Sequence, residues 1–214
     1  IQSMAIGYKS GRVNQGANSL VLGFESGEVN QGTESLALGY QTGHTDQGDR
    51  STALGYQSGQ TTQHPESVAI GYQSGQIGQN TQSIALGYQS GQSGQGAGSV
   101  SLGFRAGVTL QGDETVSVGH KSGETSQGVQ AVSVGYNSGQ IGQNSFSIAI
   151  GSNAGQSIQG TSSVAVGIDA GQISQGAQSV SVGYQSGQTS QGTKTTAIGY
   201  QCGQTSQGDK SISI

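Results

Sequence analysis

The stretch Ser179-Val-Ser-Val-Gly-Tyr-Gln-Ser-Gly-Gln-Thr-Ser-Gln-Gly-Thr-Lys194 is one of thirteen consecutive 16-residue repeats that fill almost the whole chain. With Ser3 as position 1, two leading residues, thirteen repeats and four trailing residues account for all 214 residues. No insertion interrupts the register. Because every repeat can then stack on its predecessor in the same way, the fixed period predicts a solenoid.

Each repeat carries the pattern of a short strand followed by corners. Positions 2 and 4 carry the aliphatic residues and flank a small residue, as in residues 68–70 (Val-Ala-Ile), which is the alternation of a β-strand. Positions 5 and 9 are always glycine, which indicates corners with positive φ or close backbone approach. Position 14 is mostly glycine and otherwise asparagine or His64, which predicts a third corner with a left-handed residue. The dipeptide His64-Pro65 predicts a local irregularity in its coil.

These patterns predict an all-β fold, a parallel β-solenoid of thirteen 16-residue coils. At a strand spacing of about 4.8 Å it would be an elongated rod of roughly 60 Å. Residues 1–214 are interpreted as a single repeat domain without a capping unit at either end, and therefore as an excerpt of a longer chain.

The distribution of charge predicts which side chains face water. All charged residues except Asp46 fall at positions 7, 10, 15 and 16, so these positions should be exposed. By alternation, positions 11 and 13 should point inward, where the glutamine at every position 13 could form an amide ladder.

Positions 1 and 3 carry only small residues apart from Val21, and never a charge. One face of this strand should line the coil and the other should be covered by a second copy of the chain, although the pattern leaves open which is which. The expected partner is a homo-oligomer.

Position 6 is tyrosine in eight repeats and phenylalanine in two. Rings about 5 Å apart would stack from coil to coil and stabilise their register. The functional alternative is a ligand-facing aromatic column that binds carbohydrate, for which the candidate residues are Tyr40, Tyr56, Tyr72 and Tyr88.

Other function classes find little support in the sequence. The net charge is −4 and the seven basic residues are scattered, which argues against nucleic acid, and no apolar run is long enough for membrane insertion. The three histidines, His44, His64 and His120, lie in separate repeats without a cysteine or carboxylate cluster at ligand spacing, so no metal is expected. No repeat carries the unique cluster that catalysis needs, and no cofactor motif occurs. The sequence therefore predicts that the protein is not an enzyme.

The segments Ser67-Val-Ala-Ile-Gly71 and Ser163-Val-Ala-Val-Gly167 resemble the head repeat of YadA-like trimeric autotransporter adhesins and the related fibre repeats of phages and large DNA viruses. The resemblance covers essentially all 214 residues, but the adhesin repeat is shorter than 16 residues. It implies a left-handed β-roll, a homotrimer, and adhesion at an extracellular cell or virion surface.

The expected function is a structural or adhesive fibre segment, the shaft or head of a surface or virion fibre. A host surface receptor or glycan is a further candidate partner. The alternative is an ice-binding or glycan-binding β-solenoid.

Overall fold

The structure is a computed structural model that describes residues 2–214, and within that range the chain is all-β. It divides into an N-terminal body, Ile1–Thr109, and a C-terminal body, Leu110–Ile214. In each body, strands 16 residues apart in sequence pair in parallel and build two sheets. The expected parallel β-solenoid is therefore confirmed.

The strands of the first sheet arise from positions 2 to 4 of each repeat, sometimes extended to position 6, and those of the second sheet from positions 11 to 13. In the N-terminal body the first sheet contains β1 (Met4–Ile6), β3 (Leu20–Phe24), β5 (Leu36–Tyr40), β7 (Thr52–Tyr56), β9 (Val68–Tyr72), β11 (Ile84–Leu86) and β13 (Val100–Leu102). The second sheet contains β2 (Val13–Gln15), β4 (Val29–Gln31), β6 (Thr45–Gln47), β8 (Thr61–Gln63), β10 (Ile77–Gln79), β12 (Ser93–Gln95) and β14, which begins there (Thr109–Gln111).

The C-terminal body repeats the same plan. Its first sheet contains β15 (Val116–Val118), β17 (Val132–Val134), β19 (Ile148–Ile150), β21 (Val164–Val166), β23 (Val180–Val182), β24 (Thr196–Ile198) and β25 (Ile212–Ser213). Its second sheet contains β16 (Thr125–Gln127), β18 (Ile141–Gln143), β20 (Ser157–Gln159) and β22 (Ile173–Gln175), and continues as isolated bridges through Thr189 and Thr205.

The coil that contains His64 and Pro65 keeps the common register, so the expected irregularity there was wrong. Thr61 of that coil pairs with Thr45 below and Ile77 above. The proline is tolerated because the N–H at position 15 is not part of the backbone ladder: in Thr33 it donates to a side chain, the Asp49 carboxylate.

Two of the three predicted corners need glycine for the expected reason. Gly71 at position 5 has φ +132°, and a Cβ there would lie 2.2 Å from the carbonyl oxygen of Gly87 in the next coil. The glycines at position 9 have φ near +50°, as in Gly75. Side chains are thus excluded at both positions by conformation and by contact.

The prediction for position 14 was wrong. Gly32 is not left-handed; it is glycine because a Cβ would lie 2.4 Å from the backbone of Gly48 in the next coil. The left-handed residue of this corner comes two positions later, at position 16, where Glu66 has φ 60°. A close approach of two backbones and a positive φ both favour glycine, and the sequence pattern alone does not show which of the two causes applies.

Positions 1 and 3 line the interior of the coil, which settles the question that the sequence left open. The buried apolar side chains of the described residues are alanines apart from Val21 and Val108. The glutamines at position 13 are buried as expected from Gln31 to Gln191, and some steps of the expected amide ladder form, as between Gln111 and Gln127 (3.0 Å), but most of their hydrogen bonds run across the coil. The Nε2 of Gln79 donates to the carbonyl oxygens of Val68 (2.8 Å) and Ser83 (3.2 Å), which ties the second sheet to the first.

The prediction that position 11 points inward was also wrong. Ile77 and Ile141 are about half exposed. The reason is that position 12 is left-handed, with φ 54° at Thr62 and 56° at Ile158. A left-handed residue breaks the two-residue alternation of a strand, so positions 11 and 13 lie on opposite sides of it.

Candidate functional site

An outward apolar face runs along the first sheet of each body. The aliphatic residues at positions 2 and 4 point away from the coil interior, and Leu20, Leu22, Ile84 and Leu86 are 38–42 % exposed. They face outward because alternation along the strand turns positions 1 and 3 inward, where alanine and serine fill the narrow space between the two sheets. The largest hydrophobic residues of the chain therefore cover its surface.

The aromatic residues at position 6 form a continuous stack beside this face. In the N-terminal body it contains Tyr8, Phe24, Tyr40, Tyr56, Tyr72, Tyr88 and Phe104. Neighbouring centroids are 4.9–5.2 Å apart, and the planes of the four candidate tyrosines differ by 5°. The stacking expected from the sequence is confirmed.

The stack presents its edges to solvent. Tyr40, Tyr56, Tyr72 and Tyr88 are 39–43 % exposed, and each has a ring on both sides. Stacking of a sugar needs a free ring face, and both faces of these rings are already covered by their neighbours. The geometry fits a packing role better than a carbohydrate platform.

The apolar face and the aromatic stack together form one surface without a charged residue at positions 2, 4 or 6. An aromatic side chain offers about 200 Å² of surface, so seven rings that are roughly two-fifths exposed leave about 560 Å². The aliphatic residues at positions 2 and 4 add to this. Contiguous apolar patches on soluble monomers rarely exceed a few hundred Å², and larger ones mark interaction sites.

A charge cluster lies at positions 7 and 10 of the first three coils. Glu25, Glu28 and His44 each offer a ligand atom, and these atoms lie within 4.8 Å of one another. The Nε2 of His44 is 3.0 Å from a Glu28 oxygen. The expectation that no carboxylates surround the histidines was therefore wrong for His44; the missed signal is that Glu28 precedes it by one repeat.

Cations already neutralise both carboxylates of this cluster. The Nζ of Lys9 lies 3.0 Å from Glu25, and the Nε of Arg12 lies 3.3 Å from Glu28. A hydrogen bond from Gln41, which has the larger effect, and one from Lys9 hold the pKa of Glu25 below its usual range. A metal ion would have to displace these side-chain cations, so the cluster is explained without one.

Two charged residues that the sequence predicted to be exposed are buried, and the charged residues at position 7 are only half-exposed. Glu28 and Glu124 are 7 % and 8 % exposed. At position 10 the side chains of adjacent coils lie against each other, and the Nε2 of Gln140 donates to Glu124 at 2.7 Å. Coverage by the neighbouring coil, which a single repeat does not reveal, accounts for their burial.

No protein-family model matches this chain, and no curated protein matches it. Among residues 2–214 no helix is long and apolar enough to cross a bilayer. No pocket is found in the same residues.

Proposed function

We propose that this chain is a structural segment of a fibre, the shaft or head of a cell-surface or virion fibre, which self-associates through its apolar face. One observation carries the proposal: the large aliphatic and aromatic residues lie outside the coil, and small residues fill its interior. Apolar surface on this scale contributes to stability only when another surface covers it and removes it from water.

A second copy of the chain is the covering partner that fits best. Its columns repeat at the same strand spacing of about 4.8 Å, so matching side chains meet in every coil. The absence of charge at positions 2, 4 and 6 means that no desolvated ion would oppose contact between copies. A stable interface buries about 800 Å² per partner, which the face of the N-terminal body alone approaches.

Three copies about a common axis are the favoured assembly, because the resemblance to trimeric adhesin repeats implies them. Such a fibre would be extracellular, on a cell or virion. A receptor or glycan would then be bound by residues outside the shared apolar face. Neither a catalytic group nor a cofactor enters this proposal.

The test is the oligomeric state of variants that place charges on the face. Leu54 and Ile70 are half-buried residues at position 4, and the double variant Leu54→Lys/Ile70→Lys should be monomeric by sedimentation velocity and native mass spectrometry. The control Ile77→Lys/Ile141→Lys changes equally apolar, more exposed residues at position 11, and it should assemble like the wild type. Far-ultraviolet circular dichroism would verify that each variant keeps its β-structure.

A monomeric wild-type chain at high concentration would overturn the proposal, as would normal assembly of Leu54→Lys/Ile70→Lys. The glycan-binding alternative would instead be supported by binding to a glycan array that Tyr72→Ala or Tyr88→Ala abolishes. Thermal hysteresis of the wild-type chain would support ice binding.

A further inference from the structure

Side-chain amides at the outer positions form hydrogen-bonded ladders with a fixed direction. At position 7, Gln57 donates to Gln41 (2.9 Å), Gln73 to Gln57 (3.0 Å) and Gln89 to Gln73 (3.0 Å). At position 10 of the C-terminal body the same arrangement continues from Gln204 down to Gln140. In each of these bonds the later coil donates its Nε2 and the earlier coil accepts with its Oε1.

Asparagine ladders run in the opposite direction. Asn14 donates to Asn30 at 2.9 Å, and Asn30 donates to Asp46 at 2.8 Å. In the C-terminal body Asn153 likewise donates to Asp169 at 3.0 Å. Here the earlier coil donates and the later coil accepts.

Carboxylates stand at the accepting end of both kinds of ladder. A carboxylate can only accept hydrogen bonds, so it can end a ladder but cannot continue one. Glu25 is the first member of the position 7 glutamine ladder and accepts from Gln41 at 2.8 Å, and Glu124 holds the same place at position 10. Asp46 and Asp169 are the last members of asparagine ladders.

The residue one repeat before each glutamate also avoids placing an acceptor against the carboxylate. Glutamine is the commonest residue at positions 7 and 10, yet it never stands one repeat before a glutamate. The residues one repeat before a glutamate are cations, which donate hydrogen bonds, or residues without a side-chain acceptor. The exception is an asparagine, a residue type whose ladders donate toward the later coil. These residues are Lys9, Arg12, Asn18, Arg50, Gly98 and Val108.

We propose that these charged residues act as register markers, which determine the neighbour on which each near-identical coil stacks. A shift of one repeat would place a carboxylate over a glutamine oxygen, or a lysine under a glutamine N–H group. Either contact opposes two groups of the same polarity. The glycine corners cannot supply this information, because positions 5 and 9 are glycine in every coil, and the apolar face offers similar aliphatic side chains in most coils.

The decisive test inserts one ion pair in two orders at the same two positions. In Gln57→Lys/Gln73→Glu the new glutamate lies between two donors, the new lysine in the earlier coil and Gln89 in the later coil, as Glu25 already does between its own neighbours. In Gln57→Glu/Gln73→Lys the composition is identical, but the new glutamate meets the Oε1 of Gln41 and the new lysine meets the Nε2 of Gln89. Only the order of the charges differs between the two variants.

The first variant should melt within about 1 °C of the wild type, and the reversed one about 4 °C lower, since it contains two contacts between groups of like polarity. Hydrogen exchange should speed up in the reversed variant at the backbone N–H groups of residues 57, 73 and 89, which bond to the preceding coil. Equal melting and equal exchange in the two variants would overturn the inference. Oligomer mass, measured alongside, tests the proposed fibre function separately, because these positions lie off the apolar face.

Discussion

The interior glutamines provide the sharpest prediction, because some of them lack a hydrogen bond that others have. Where position 3 is serine, its hydroxyl can donate to the glutamine of the same coil: Ser117 donates to the Oε1 of Gln127 at 2.7 Å, and Ser181 to Gln191 at 2.6 Å. In six coils with alanine or valine at position 3, the corresponding oxygen is buried without a partner among the described residues. These oxygens belong to Gln31, Gln63, Gln79, Gln95, Gln159 and Gln175.

The variant Ala69→Ser should therefore stabilise the protein by giving Gln79 a donor. Leaving a buried acceptor unsatisfied costs about 1–3 kcal/mol, and a typical new hydrogen bond contributes about 1 kcal/mol net. We expect a gain of about 1 kcal/mol, which raises the melting temperature by roughly 2–4 °C for a chain of this size. A hydroxyl group fits at this position, because the Ser117 hydroxyl occupies the space that a side chain on Gly123 would otherwise fill. Gly75 leaves the same space beside Ala69.

The assay is thermal unfolding together with hydrogen exchange in the coil that contains Ala69. The control is Ala69→Val, which adds volume without a donor and has a natural precedent in Val21 of an earlier coil. Ser181→Ala should show the opposite sign, because it removes the donor to Gln191. Destabilisation by Ala69→Ser, or equal stabilisation by Ala69→Val, would refute the reasoning.

Two further predictions concern the corners and the surface charges. Gly119→Val should destabilise the protein by roughly 3 kcal/mol or more, since a Cβ there would lie 2.2 Å from the Gly135 carbonyl oxygen at φ +130°. Gly142→Ala, at a left-handed position with space around it, should cost far less, and equal melting of the two would contradict this account. Hydrogen bonds from Gln41 and Lys9 lower the pKa of Glu25 in the folded state. The stabilising contribution of Glu25 is therefore complete above the ordinary glutamate pKa of about 4.3, and it is lost as the pH falls through the lowered pKa. Melting curves between about pH 5 and 3 should show this loss, and Glu25→Gln should reduce the dependence on pH.

The sequence was sufficient for the fold class because the signals that carry it are local. The 16-residue period, the strand at positions 2 to 4 and the corners at positions 5 and 9 follow from the repeat, and the tyrosine stack follows from the period together with the strand spacing. Residues such as Gly71 and Tyr72 could thus be assigned their places in advance.

The orientation of the side chains was harder to predict. It depends on backbone conformations that the residue types do not reveal, since a left-handed threonine such as Thr62 looks like any strand residue in the sequence. Hydrophobicity also misleads here, because aliphatic residues normally fill a core, and in this chain Ala69 fills it while Ile70 lies outside. The cluster around His44 was missed because its members are neighbours only after the coils stack.

An interior of alanine, serine and glutamine also determines how stability responds to temperature. Unfolding raises the heat capacity through newly hydrated hydrocarbon and lowers it through newly hydrated polar groups. Because the interior holds little hydrocarbon, we expect a heat capacity of unfolding per residue below the usual value of about 12–15 cal/mol/K. A lower heat capacity would give a flatter stability curve. In the proposed fibre, the hydrocarbon on the outer face would lose water when chains associate, so part of the thermal signature of hydrophobic burial would belong to assembly.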